Sequence, residues 1–284
     1  MRNKNLSLIS LTLLLTFLLT ACSGPQRKRA RGRKFKSARV ISGMRVIDRV
    51  IDGDTFVLNG GDRVRLVYVN TPEKREEFGA EAKAFAKKKL TKRKVRIEGR
   101  KRDGYGRLLA DVYLKDKSFA VELTRAGLAH LFIIPPHDAD KTAAILAAQK
   151  EARDENRGIW GSARYQGLFH ITSFHADPDG NDNFNLNGEA VRIASIGVEP
   201  ASLKGYRLHN KRGEYYEFGD VTLPPGHTVM VHTGHGTDQL NPKKQMRVYW
   251  NRVASAWTNR GDAATLRDAD NGLVDEALHT GRKR

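Results

Sequence analysis

Cysteine is almost absent: Cys22 is the only one in 284 residues, so no intramolecular disulfide can form and no cysteine-based zinc cluster can be built. No internal repeat joins the two halves of the chain, and its second half holds no Ser/His/Asp arrangement or phosphate-binding loop that would signal an enzyme. Apolar content is limited as well. A mean hydropathy of −0.54 excludes a multi-span membrane protein, while 39% hydrophobic residues is too many for a disordered chain. The length leaves room for about two domains with a core in each. Acidic residues are missing from the first 40 positions, which carry ten Lys/Arg. Residues 41–164 carry 26 basic against 18 acidic residues and residues 165–284 carry 14 of each, so the formal net charge of +18 belongs to the front of the chain. A polyanion is the partner this predicts, met by the first half.

Arg2 and Lys4 precede an apolar run, Leu6 to Leu19, that is short for a bilayer span, and residues 1–21 have the shape of a secretory signal. The run ends at Leu19-Thr20-Ala21-Cys22. The place of that lone cysteine resembles a bacterial lipobox, which implies cleavage before Cys22, a lipid anchor on it, and an exported lipoprotein at the cell envelope or surface. Ser23, and not Asp, follows the cysteine, which permits residence in an outer membrane. Residues 22–40 read as a flexible basic tether, with eight Lys/Arg, no acid and one large apolar side chain between Ser23 and Arg39. It serves as a spacer or as an electrostatic contact for headgroups or nucleic acid; composition leaves both open.

Residues 41–161 form the first expected folded domain. Alternating and β-branched runs predict strands at Met44–Ile51, Thr55–Leu58, Arg63–Val69, Val95–Glu98 and Leu108–Leu114. Helical spacing predicts helices at about Glu77–Leu90, Phe119–Ala126 and Ala139–Asn156, the last stopped by Gly158. Five short strands with three helices suit an α+β, OB-type β-barrel. Three segments carry chemistry. Ile51-Asp52-Gly53-Asp54-Thr55 sets two carboxylates about a glycine at a strand junction, where Asp-Gly could equally be a plain turn signal. The second, Arg65-Leu66-Val67-Tyr68-Val69-Asn70-Thr71-Pro72-Glu73, ends in oxygen ligands and a carboxylate, although Thr71-Pro72 could equally open a helix. Asp103-Gly104-Tyr105-Gly106-Arg107 aims an arginine from a glycine-flanked loop, or is a plain hairpin turn.

These three segments, in this order and spacing from about Val46 to Trp160, resemble the staphylococcal-nuclease-like (thermonuclease) family. The resemblance implies calcium-dependent hydrolysis of DNA and RNA that leaves 3′-phosphate ends. It puts calcium on Asp54, the side chain of Asn70 and the carbonyl of Thr71, with Asp52 in a supporting shell. Glu73 takes the role of general base or orienter of the attacking water, Arg65 and Arg107 those of the phosphate-gripping arginines, and Tyr105 a nucleotide contact. The set is chemically coherent: a hard cation takes oxygen ligands, an attacking water needs a base, and developing phosphoryl charge suits guanidinium forks. Three departures accompany it. Asn70 stands where the family commonly has Asp, the segment after Glu73 is short, and the positions of two base-stacking tyrosines hold Ile133 and Pro135. Eleven Lys/Arg against the single Glu98 between Lys83 and Arg102 fit a non-specific backbone footprint.

Residues 167–280 show recurrent short strand-like runs without long helical periodicity, the pattern of an antiparallel β-sandwich. Asn187-Gly188-Glu189-Ala190-Val191-Arg192-Ile193, Leu203-Lys204-Gly205-Tyr206-Arg207-Leu208, Leu223-Pro224-Pro225-Gly226 and Ala256-Trp257-Thr258-Asn259-Arg260-Gly261-Asp262 together resemble a lamin tail domain. That implies an immunoglobulin-like sandwich with a binding or positioning role and a ligand the motifs do not name. His227, His232 and His235 lack an HExxH spacing and read as ordinary histidines. The competing readings are a catalytically silent nucleic-acid binder, which Asn70 favours, and an adhesion protein.

Overall fold

The computed structural model describes residues 40–181 and 184–281. The expected signal segment, Cys22 and the tether up to residue 39 lie outside them. Among the described residues no helix is long and apolar enough to cross a membrane.

Strands β1 (Ser42–Val50), β2 (Thr55–Leu58) and β3 (Arg63–Leu66) run as an antiparallel meander. The run expected through Val69 breaks after Leu66, where Tyr68 adopts a left-handed φ of 67°. It resumes as β4 (Val69–Asn70), in a separate pair. After helix α1 (Gly79–Leu90), β5 (Lys94–Arg102) pairs with β1. β6 (Leu108–Leu114) then pairs antiparallel with β5 and parallel with β3, which closes five strands into a barrel. β7 (Lys117–Ser118) leads into α2 (Phe119–Arg125), capped by Ser118, and β8 (His130–Leu131), the partner of β4, precedes α3 (Ala139–Asp154), capped by Asp138. Ile47, Phe56, Val64, Val95, Ile97 and Leu108 fill the barrel, and the small Ala82 and Ala86 let α1 lie close against it.

Two local expectations change. Thr71-Pro72 does not start α1, which begins at Gly79 after an N-cap Phe78 that offers no side-chain cap. Gly158 does not stop α3 either. Asn156 takes the left-handed position, φ 53°, and Arg157 N donates back to Ala152 O. The glycine is needed instead for contact, since a Cβ at Gly158 would lie 2.1 Å from Gly127 O.

The second half is all β: β9 (Phe169–His175), β10 (Ala190–Ser195), β11 (Ala201–Ser202), β12 (Arg207–His209), β13 (Tyr215–Glu217), β14 (Thr222–Leu223), β15 (Thr228–His232), β16 (Met246–Tyr249), β17 (Asp262–Arg267) and β18 (Leu273–His279). Two four-stranded sheets, β16-β15-β10-β9 and β13-β12-β17-β18, share a core of Phe169, Ile193, Val229, Val248, Leu208, Leu266 and Trp257. The sandwich is not wholly antiparallel. Residues 233–245 carry the chain back so that β16 joins β15 in parallel, a pairing that needs a long crossover.

The halves are joined through side chains that sequence reading did not connect. Gln149, fully buried on α3, accepts from Leu131 N at 2.7 Å and donates to Ile196 O at 2.9 Å. Ile133 N donates to Gly226 O at 2.7 Å. Trp160, Tyr165, Ile159, Ala152 and Ile196 form a separate apolar cluster on which Phe78 packs.

Candidate active site

The Asp52-Gly53-Asp54 turn links β1 to β2 at one end of the barrel. Asp54 N donates to Asp52 Oδ1 at 3.2 Å, and Leu66 N donates to Asp54 O at 2.8 Å, which ties the turn to β3. Gly53 is required by closeness: a Cβ there would lie 2.8 Å from both Ala82 Cβ and Thr71 Cγ2. The buried Asp54 carboxylate accepts from Thr55 Oγ1 at 3.1 Å, Thr71 Oγ1 at 2.9 Å and Thr71 N at 3.0 Å. Arg65, opposite Thr55 in the β2–β3 ladder, places its Nη2 3.1 Å from Asp54 Oδ2 and 3.0 Å from Asn70 Oδ1. Its Nη1 donates to the carbonyls of Leu66 and Val69. Asp52, Asp54, Arg65, Asn70 and Thr71 are thus brought together, with the Asn70 and Asp54 oxygens converging on one guanidinium nitrogen.

Glu73 follows in an extended loop. Its N donates to Glu76 Oε2 at 2.7 Å, and the loop folds back so tightly that a Cβ on Gly79 would lie 2.1 Å from Glu73 O. The exposed Glu73 carboxyl is raised above the usual glutamate range by desolvation on its protein side, then by the charges of Asp54, Asp52 and Glu76. Burial, then the neighbouring Asp54 charge, pushes Asp52 up to about 6. Two carboxyls beside one close guanidinium, Asp52 and Glu73, are therefore raised, and the Asp54 charge contributes to both.

Arg107 and Tyr105 sit on the β5–β6 turn. Arg107 N and Nε donate to the Oδ1 and Oδ2 of Asp103, at 2.9 and 2.7 Å, and its guanidinium lies 5.4 Å from the Tyr105 ring. The segment is the hairpin turn between β5 and β6, and Asp103 holds its arginine. β6 enters the sheet with Leu108 opposite Val64, so Arg107 lies just before the ladder, and it pairs with Asp103 and not with the Asp52–Asp54 group.

Sequence reading missed the supports. Glu76, three residues beyond Glu73, had a local signal in that spacing. Arg164 and Asp275 had none, lying 111 residues apart. Arg164 bridges Glu76 Oε1 at 3.0 Å and Asp275 Oδ1 at 2.8 Å, and Asp275 Oδ2 lies 2.7 Å from His170 Nδ1. The last strand of the sandwich thereby reaches the loop that carries Glu73. Beside this junction, burial and then His170 push the His130 imidazole down to about 3, so it stays neutral.

The donor set fits an oxygen-seeking cation in chemistry: two aspartates, an amide oxygen and a main-chain carbonyl, in a pocket already oversupplied with negative charge. Among the described residues no group of three His, Cys, Asp or Glu is arranged for a metal. A cation here therefore depends on the neutral oxygens of Asn70 and Thr71 as well as on the aspartates.

Both halves of the chain have counterparts among known proteins. The family described as "Staphylococcal nuclease homologue" matches residues 63–162, and the "Lamin Tail Domain" family matches residues 163–280. A thermonuclease of Staphylococcus intermedius is 42% identical over 126 residues, 40% of this chain and 74% of the relative. A thermonuclease of Staphylococcus hyicus is 36% identical over 125 residues, 40% of this chain and 73% of the relative. An uncharacterised endonuclease of Haemophilus influenzae is 29% identical over 164 residues, 56% of this chain and 80% of the relative.

Proposed function

Since the chain belongs to the staphylococcal nuclease family, is a hydrolytic nuclease and carries a lamin tail domain behind its barrel, we propose that it is an exported, lipid-anchored, calcium-dependent nuclease of DNA, RNA or both that leaves 3′-phosphate ends. The observation that supports this reading is the crowding of Asp52 and Glu73, both raised in part by the Asp54 charge, about a half-buried Arg65. A structural cluster would be neutralised by its own partners; this one holds more negative charge than Arg65 answers.

Asp54, Asn70 Oδ1 and the Thr71 carbonyl would hold calcium, with Asp52 behind them. Calcium, when bound, supplies charge neutralisation at the phosphate. Arg65 is held by Asp54, Asn70 and two main-chain carbonyls, so it presents a fixed positive charge to a phosphate oxygen. Arg107 supplies the second guanidinium, oriented by Asp103. Glu73 takes a proton from the attacking water, and its raised carboxyl makes it a better base than an ordinary glutamate. Tyr105, exposed beside Arg107, offers a ring to the nucleotide.

A zymogram with calcium against chelator tests the activity. Cleavage that survives chelation would remove calcium from the reading, and binding without cleavage would leave a silent nucleic-acid binder. Fractionation tests the anchor: Cys22→Ser should leave the membrane fraction, and equal membrane retention of both proteins would refute lipidation.

A further inference from the structure

The second half of the chain is neutral in sum, yet the fold sorts its charges. The strands of the β16-β15-β10-β9 sheet contain Arg192, Arg247 and the histidines His170, His175 and His232, and no Asp or Glu. The strands of the opposite sheet contain Glu217, Asp262, Asp275 and Glu276 against Arg207 and Arg267. The linear sequence hides this, because the acid-free strands are scattered from residue 169 to residue 249.

Register gathers the cations. Ser173, Arg192, Met230 and Arg247 lie in one cross-strand row, and His175, Ala190, His232 and Tyr249 in the next. Their neighbours Val191, Ile193, Val229, Val231, Met246 and Val248 point into the core, so by alternation both rows face outward. Arg192 and Arg247 stand two strands apart, about 10 Å, far enough to meet separate phosphates. Lys243 and Lys244 are exposed in the loop that feeds β16. The acid at this edge, Asp238, accepts from Tyr249 N.

The pairing of these arginines is incomplete. Arg192 donates to Thr228 Oγ1, Gln245 Oε1 and Met230 Sδ, all neutral, and Arg247 donates to Gln239 Oε1. Burial and then Arg247 push the Arg192 guanidinium down to about 10, and His175 and His232 are lowered by burial, with Arg192 charge adding to both. Among the described residues no carboxylate pairs with Arg192 or Arg247, and a half-buried pair of cations so placed is unfavourable in the free protein until an anion relieves it. The row also begins at the nuclease domain. Arg192 lies 5.9 Å from the Phe132 ring, and Phe132 N donates to Tyr68 O, two residues from Asn70.

We propose that this acid-free sheet face is a second phosphate-backbone contact, on which Arg192 and Arg247, flanked by Lys243, Lys244 and His175, grip the part of a nucleic-acid strand that extends beyond the nuclease site. The partner is the phosphodiester backbone and not a particular base sequence, because the row presents positive charge and little that reads base edges. Short substrates never reach the face; long strands bridge both domains.

The test is binding of the full chain, in chelator, to a long single strand and to a trinucleotide across a salt series. The variants are Arg192→Gln, Arg247→Gln and the pair Lys243→Glu with Lys244→Glu. The proposal predicts several-fold weaker binding of the long strand and a salt dependence shallower by roughly 0.7 per lost phosphate contact. Trinucleotide binding in chelator, and trinucleotide cleavage in a separate assay with calcium, should stay at parental values. Unchanged long-strand affinity and salt slope in Arg247→Gln and the lysine pair, with thermal unfolding intact, would overturn it, and these surface variants decide the matter even if Arg192→Gln misfolds. Loss of binding to phosphatidylcholine vesicles containing phosphatidylglycerol, with long-strand binding retained, would also overturn it and assign the face to lipid headgroups.

Discussion

In the sandwich each buried carboxylate caps main-chain donors. Asp262 accepts from Lys211 N, Ala263 N and Thr258 N at 2.8 to 3.0 Å, Glu189 accepts from Ala256 N at 2.9 Å, and Asp275 accepts from Ile171 N at 2.7 Å. Burial alone would raise Asp275, but His170, Arg164 and Ile171 N hold it below its usual value. In the barrel, Asp52 and Glu73 are raised, and nearby carboxylates contribute to both shifts. The two patterns separate the purposes of buried charge. Carboxylates saturated by donors stabilise loops, whereas carboxylates crowded against one another keep a demand for an outside cation or proton.

If that contrast is correct, substitutions in the two domains should fail in different currencies. The largest effect is expected at the barrel site, where Glu73→Gln and Arg107→Ala should each lower the cleavage rate on the order of a thousandfold, about 4 kcal/mol. Thermal unfolding should hardly move, because Glu73 is exposed and Arg107 pairs only within its own turn. Near-parental rates would remove either residue from the chemistry.

Next in size is Asp262→Ala, which strands three main-chain donors in a site where the residue is 1% exposed. It should cost about 3 kcal/mol in denaturant unfolding. Cleavage per folded molecule should be unchanged, and a matching loss of specific activity would erase the distinction between the domains.

Legibility in the sequence followed the same division. The site segments could be read because each is local: Asp52-Gly53-Asp54, Asn70-Thr71-Pro72-Glu73 and Asp103 to Arg107 keep their chemistry within a few residues. The barrel strands were readable for the same reason, through alternation. β17 and β18 were not, since Asp262, Arg267, Asp275 and Glu276 interrupt the apolar pattern for contacts made elsewhere in the fold. Nor could the junction be read, because Gln149, which meets the Ile196 main-chain carbonyl, and Arg164 with Asp275 are ordinary polar side chains until the fold brings their partners to them.

A third, smaller effect probes the point where the two patterns meet. Arg164 is anchored by the sandwich through Asp275 and holds Glu76, which in turn holds Glu73 N. Arg164→Ala should lower kcat about tenfold, on the order of 1.4 kcal/mol, with KM little changed, and Arg164→Lys should recover part of it. The same contact gives a pH signature. Because the folded Asp275 carboxyl lies below its ordinary value, its contribution is present above the ordinary carboxylate range and is lost as pH falls through the folded value. Asp275→Asn should therefore flatten the acid limb of a stability-against-pH curve; an unchanged limb would separate Asp275 from acid unfolding.

The smallest effect is the most discriminating for the calcium reading. Asn70→Asp adds a charge at nearly constant volume, and ligand charge is one determinant of calcium affinity. Asn70 Oδ1, however, already accepts from Arg65 Nη2, the nitrogen that also faces Asp54. A new carboxylate would strengthen the hold of Arg65 as well as that of the metal, and the two gains oppose each other, since the guanidinium must yield the converging oxygens to the cation. The expected net result is tighter calcium binding by about threefold, on the order of 0.7 kcal/mol, smaller than the full charge would give in an open site. Calorimetric titration of both proteins, with Arg65→Lys in each background, measures the competition directly. If Arg65 is the competitor, the lysine background should enlarge the gain, because a single ammonium cannot keep both acceptors and two carbonyls. Equal gains in both backgrounds would mean that Arg65 does not compete, and no gain in either would place Asn70 outside the calcium site.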